Sequence, residues 1–139
     1  MKNQIKIFII ASSLPATILA LGGLAIGIHK NGSVVNFAFL WISVSIIFGM
    51  FNVLTKIIRL PRNFLFMFLA GAVLGLGLSS VGTFVLNLPE LVYGMHGIER
   101  YKAILIAPFF YGFIWAAIVY PMEKLFGVEK YLTQEGKNR

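Results

Sequence analysis

The chain has 139 residues, room for one domain, and is 58% hydrophobic with 12% charged residues. Soluble domains carry about 25% charged residues, so this composition excludes a water-exposed globular surface. The net charge of +7 is spread between apolar runs, which assigns it to membrane topology and anionic lipid rather than nucleic acid, and the lack of cysteine excludes disulfides, thiolate metal sites and cysteine nucleophiles.

Four uncharged runs set the class. Ile7 to Ile28 covers 22 residues, Asn31 to Thr55 covers 25, Asn63 to Pro89 covers 27 and Ala103 to Met122 covers 20. A hydrocarbon core of about 30 Å needs about 20 helical residues, and helices satisfy the backbone of such runs without water. The expected fold is an all-α membrane protein: four transmembrane helices in a compact up-down bundle, with spans at about 7–28, 34–55, 63–87 and 103–122. Together they make one domain over 1–122, followed by a short cytoplasmic amphipathic tail over 123–139.

The first run is longer than the apolar core of a signal peptide, about 7–15 residues, and is expected to be retained. It carries a stripe of small residues, Ser12, Ala16, Ala20, Gly23 and Gly27, that allows close helix approach. Pro15 removes a backbone donor and kinks the helix, with Ser12, Ser13 and Thr17 at hand for local repair. The second span is aromatic, with Phe37, Phe39, Trp41, Phe48 and Phe51. It also holds the amides Asn36 and Asn52, the candidate polar contacts to a ligand or a neighbouring helix, and the latter reading carries more weight. The turn "TKIIRLPRN" brings Lys56, Arg59 and Arg62 together as candidate contacts to lipid headgroups.

The third span contains "GAVLGLGLSS". Glycine costs about 1 kcal/mol relative to alanine in a helix in water, yet Gly71, Gly75, Ser79 and Thr83 are four apart and form one ridge. Gly71 and Gly75 make a small-xxx-small pattern, which serves packing in lipid. The glycine seams of spans one and three are expected near the centre of the bundle, with the large residues of spans two and four on other faces.

The third loop, "LPELVYGMHGIERYK", holds Glu90, His96, Glu99 and Arg100 between tyrosines. Asn87 is placed to cap a short helix with Pro89 and Glu90 in its first turn. His96 and Glu99 have a spacing that can share a metal, but two ligands are too few for a closed site, so no metal and no cofactor are assigned. The fourth span adds Gly112 and Ala116 to a run of aromatics, with Pro108 inside it and Pro121 at its edge. Beyond it, Leu125, Phe126, Val128, Tyr131 and Leu132 give the tail an apolar side.

Nine of the twelve Lys and Arg residues fall on the side of the two termini and the second loop, against three on the other side. The positive-inside rule therefore places both termini in the cytoplasm. No charged residue or histidine lies within the four runs, which argues against a proton-coupled antiporter and against an intramembrane hydrolase. The expected function is non-enzymatic: association through helices with another membrane protein, as an accessory subunit, scaffold or immunity-type protein. The alternative is a small oligomeric transporter or channel for a neutral or lipidic solute. The expected partners are the bilayer and a membrane protein or a second copy, not nucleic acid. The expected location is the cell membrane, with a bacterial inner membrane as the fit for such compact loops.

Overall fold

The computed structural model describes residues 2–29 and 34–128, with side chains over 4–25 and 38–128. Its elements are α1 (Lys2–Ser12), α2 (Leu14–His29), α3 (Val34–Ile57), α4 (Phe64–Phe84), α5 (Leu88–Tyr93), α6 (Glu99–Ile114), one π turn (Trp115–Val119) and α7 (Tyr120–Leu125). The described residues hold no strand. Four stretches are long and apolar enough to cross a membrane: Gln4–Ala25, Ala38–Ile57, Phe64–Phe84 and Glu99–Leu125. The chain is a multi-pass membrane protein.

The third and fourth spans differ from the hydropathy reading at their ends. The third helix ends at Phe84 rather than 87, where the left-handed conformation of Asn87 (φ 50°) turns the chain into α5. The fourth extends at both ends, so that it takes in Glu99, Arg100 and Lys102 at its start and Glu123 at its finish. Hydrogen bonding carries the helix past the point where the uncharged run stops.

The break in the first span falls at Ser13, two residues before Pro15. Hydroxyls cover the disturbed backbone: Ser12 Oγ donates to the Phe8 carbonyl at 2.8 Å, Ser13 Oγ to Ile10 at 3.2 Å and Thr17 Oγ1 to Ser13 at 2.9 Å. This is the local repair that serine and threonine provide around a proline in lipid.

The end of α3 closes with a Schellman motif. Leu60 N–H donates to the Thr55 carbonyl at 3.0 Å and Arg59 N–H to Lys56 at 2.9 Å. Arg59 occupies the left-handed position (φ 58°) that glycine normally fills. Three residues later Asn63 caps α4, its side chain accepting from the Phe66 amide at 2.9 Å. The α3–α4 connection is therefore tied by hydrogen bonds at both ends, and Arg62 sits between the two caps.

The glycine ridge of the third span packs on the fourth, not on the first. A Cβ on Gly71 would lie 2.5 Å from the Tyr111 carbonyl oxygen and 2.7 Å from Trp115 Cβ. One on Gly75 would lie 2.7 Å from the Ala107 carbonyl oxygen, and one on Gly112 would lie 2.9 Å from Phe68. These are backbone-to-backbone approaches that only glycine permits. Ser79 is half-buried and donates to its own helix at Leu76. In the first span Ala16, Ala20 and Gly23 are buried, and Ala16 and Ala20 share a cleft lining with Leu40 and Val44 of α3 and with Tyr93. Gly27 and Asn36 have side-chain positions outside the described residues, as does the tail from 129 on.

Gly71, Gly75, Ala16, Ala20 and Gly23 are buried, but the expectation that the large residues would lie on other faces is corrected. Phe48 and Trp115 are wholly buried, with ring centroids 4.9 Å apart and planes at 72°. Phe51 meets the same indole at 5.6 Å and Tyr111 meets Phe48 at 5.4 Å, both edge-on. Such pairs contribute about 0.5–1.5 kcal/mol each beyond burial. The glycines bring the helices close along one line, and the aromatics fill the space beside it. Phe39, Phe109 and Phe113 point outward instead, where lipid solvates them without cost.

Gly75→Leu should lower stability in detergent by about 3 kcal/mol, the upper end for overpacking, because a backbone oxygen has no rotamer escape. Thermal unfolding followed by circular dichroism measures this. Gly77→Ala is the matched control, since a Cβ there meets nothing within 4 Å.

Candidate functional site

At the end of the helices that holds the α3–α4 turn, three polar side chains meet in an otherwise apolar interior. Asn52 is wholly buried and Glu123 is 2% exposed. The Arg62 side chain is 7% exposed. Arg62 Nη1 donates to both carboxylate oxygens of Glu123 at 2.9 Å and to Asn52 Oδ1 at 3.2 Å. Asn52 Nδ2 donates to Glu123 Oε1 at 2.9 Å and to the Ile7 carbonyl at 3.1 Å. Thr55 Oγ1, also buried, donates to the Asn52 carbonyl at 2.8 Å.

Each part has a local cause. Asn52 lies one turn past Phe48 on the buried face of α3. Arg62 precedes the Asn63 cap, which fixes where its side chain leaves the backbone. Glu123 follows Trp115 and Val119 on the buried face of the last span, and the Tyr120 amide reaches back five residues to the Trp115 carbonyl. That π turn precedes Pro121, which has no amide to continue the α-helical pattern. Widened turns of this kind occur often at functional sites.

The cluster joins four segments: α1 through the Ile7 carbonyl, α3 through Asn52, the α3–α4 turn through Arg62 and the last span through Glu123. Charges this deep are tolerable only as a hydrogen-bonded pair. Arg62 uses a single nitrogen for it, since Nε and Nη2 are buried with no hydrogen-bond partner among the described residues.

These positions revise the sequence reading residue by residue. Arg62, expected at the headgroups with Lys56 and Arg59, turns inward onto Glu123, because a buried carboxylate and a buried amide offer it acceptors. Arg59 is exposed and Lys56 half-buried. Asn52 contacts a neighbouring helix and a carboxylate at once. Glu123 lies one residue past the uncharged run, so hydropathy alone assigns it to the tail. The available signal was that the apolar spacing of Trp115 and Val119 carries on to position 123.

The third loop forms a second polar group. Asn87 precedes the short helix, but its side chain accepts no amide bond from it. It donates instead to Glu90 Oε2 at 2.6 Å, and His96 Nδ1 lies 3.2 Å from Glu90 Oε1. The bond from Asn87 is the main reason that the Glu90 carboxyl titrates below its ordinary range, with the His96 charge adding to it. His96 thus pairs with Glu90 rather than Glu99. Among the described residues no three His, Asp or Glu side chains converge as a metal site would require. A shallow cleft of about 10 Å³ opens between α2, α3 and α5, lined by Ala16, Leu19, Ala20, Leu40, Trp41, Val44 and Tyr93. Its walls offer apolar contact and little else.

Comparison of the chain with protein-family models, with curated proteins and with solved structures gave no match.

Arg62→Ala and Glu123→Ala should each cost about 3–5 kcal/mol, because each strands a buried charge. The double replacement Arg62→Ala with Glu123→Ala should cost much less than the sum of the two, because no charge is left stranded. A double-mutant cycle on thermal stability in detergent checks this, and additive losses would remove the pair from the interior.

Proposed function

We propose that this chain is a non-enzymatic membrane protein that works by binding another membrane protein through its helices, as an accessory subunit, scaffold or immunity-type protein. In this reading it is an up-down four-helix bundle with both termini in the cytoplasm of a bacterial inner-membrane host.

The observation that carries the proposal is Gly77. Gly71 and Gly75 are occupied by contacts within the chain, but a Cβ on Gly77 would meet no atom within 4 Å. It sits on the outer face of α4, with the exposed Val73 and Val81 one turn to either side. Glycine lowers helix stability by about 1 kcal/mol relative to alanine, and nothing among the described residues compensates for it here. A second backbone approaching along that face does, by the same packing that Gly71 and Gly75 serve inside. Gly22 on the first span is likewise exposed with no near neighbour.

The aromatic centre supports the same reading, since Phe48 and Trp115 fill the middle of the chain where a solute path would run. The buried Arg62–Glu123 pair favours the alternative, a small oligomeric transporter or channel, because ionisable groups at membrane depth often mark solute paths.

Gly77→Leu separates these. The chain should keep its thermal stability to within about 0.5 kcal/mol, the usual range for a surface change. A membrane protein that co-purifies stoichiometrically with the tagged wild-type chain from native membranes should be lost. A partner-free homo-oligomer that passes a solute in liposomes, with flux altered by Asn52→Ala, would overturn the association reading in favour of the transporter.

A further inference from the structure

A guanidinium has five N–H groups in a planar fork, and its side-on edge, Nε with Nη2, matches two oxygens of one oxyanion. In Arg62 that edge is the unused one. Nη1 alone serves Glu123 and Asn52, while Nε and Nη2 are buried without an acceptor. A buried charged donor left unmatched is among the costliest polar defects an interior can hold.

The described residues offer no second carboxylate for that edge. Glu90 and Glu99 belong to the connection at the other end of α4, a helix of 21 residues and so about 30 Å long. The surroundings favour an added negative charge. Lys56 and Arg59 share the turn with Arg62, and Lys124 follows Glu123. The exposed Ile57, Ile58, Leu125 and Phe126 flank these basic residues.

We infer that the Nε–Nη2 edge of Arg62 is the seat of a phosphate oxyanion, supplied by an anionic lipid headgroup or by free phosphate. The oxyanion takes two parallel hydrogen bonds from this edge while Glu123 stays on Nη1, so that one guanidinium bridges the internal carboxylate and the external anion. Lys56 and Arg59 raise the local anion concentration, and Arg62 fixes the position. This inference does not depend on the association reading, because it concerns a ligand rather than a helix partner.

The test uses the purified full chain, stripped of lipid in an uncharged detergent. One arm adds inorganic phosphate, against chloride at equal ionic strength. The other adds phosphatidylglycerol, against phosphatidylcholine. Thermal stability and native mass spectrometry are the readouts. One saturable equivalent is expected: a response to inorganic phosphate identifies a free-phosphate site, and a response to phosphatidylglycerol alone identifies a headgroup site. Arg62→Lys keeps a cation beside Glu123 but has no side-on edge, so affinity should fall about tenfold, the loss of one charge-assisted hydrogen bond. Glu123→Gln should tighten anion binding even as it weakens the fold, which keeps the inference testable should Arg62→Lys fail to fold. Binding unchanged in Arg62→Lys, or binding that is unsaturable and vanishes with salt or in Lys56→Gln with Arg59→Gln, would overturn it. So would a loss of stability in Glu129→Gln or Glu135→Gln with no response to either anion, which would put a tail carboxylate on the edge.

Discussion

The approach of Gly71 and Gly75 to the carbonyl oxygens of Tyr111 and Ala107 is the constraint on which the rest of this molecule depends. In lipid, burial of apolar side chains gives helices little reason to associate, because the acyl chains are as apolar as leucine. Close backbone approach supplies the packing energy instead. Once the third and fourth spans are this near, the large side chains beside the seam have one place to go. Trp115 turns onto Phe48 and Phe51 of α3, and those edge-on ring contacts link the seam to the second span. The first span then closes on α3, where Phe8 covers Gly49.

The polar cluster follows from the same geometry. With Trp115 and Val119 held inside, Glu123 comes round on the inner face. A carboxylate there is tolerable only with a cation, and the doubly capped turn between α3 and α4 delivers Arg62 to it. Asn52 makes the arrangement more than a pair, because it donates to the carboxylate and to α1 while accepting from the guanidinium. Replacing such clusters with apolar residues of equal size is often neutral or stabilising. Their presence therefore speaks for specificity or for a ligand, which is the physical ground of the oxyanion site at Arg62.

The outer surface is consistent with these interior demands. Most large apolar side chains of the spans face outward, as they must when the solvent is hydrocarbon. Against that background Gly77 is the anomaly, a small residue on an outer face where an added Cβ would meet no other element among the described residues. Gly71 and Gly75, six and two residues before it, show what such a residue does when a helix lies against it.

The sequence by itself determined the membrane class, the number of spans and the regions where they lie, because uncharged length is a one-dimensional property and the bilayer imposes it directly. It also singled out Gly71 and Gly75, since four-residue spacing is enough to form a ridge. Which helix the ridge meets was decided only by the tertiary structure, because spacing describes one face and not its partner. Asn52 was legible as a polar residue in an apolar run. Its link to Arg62 and Glu123 was not, for those positions lie 10 and 71 residues away. Glu123 shows the reason most plainly. By hydropathy it belongs to a polar tail, and a charge can sit inside only where a cation from a distant turn arrives beside it. That pairing exists in three dimensions alone.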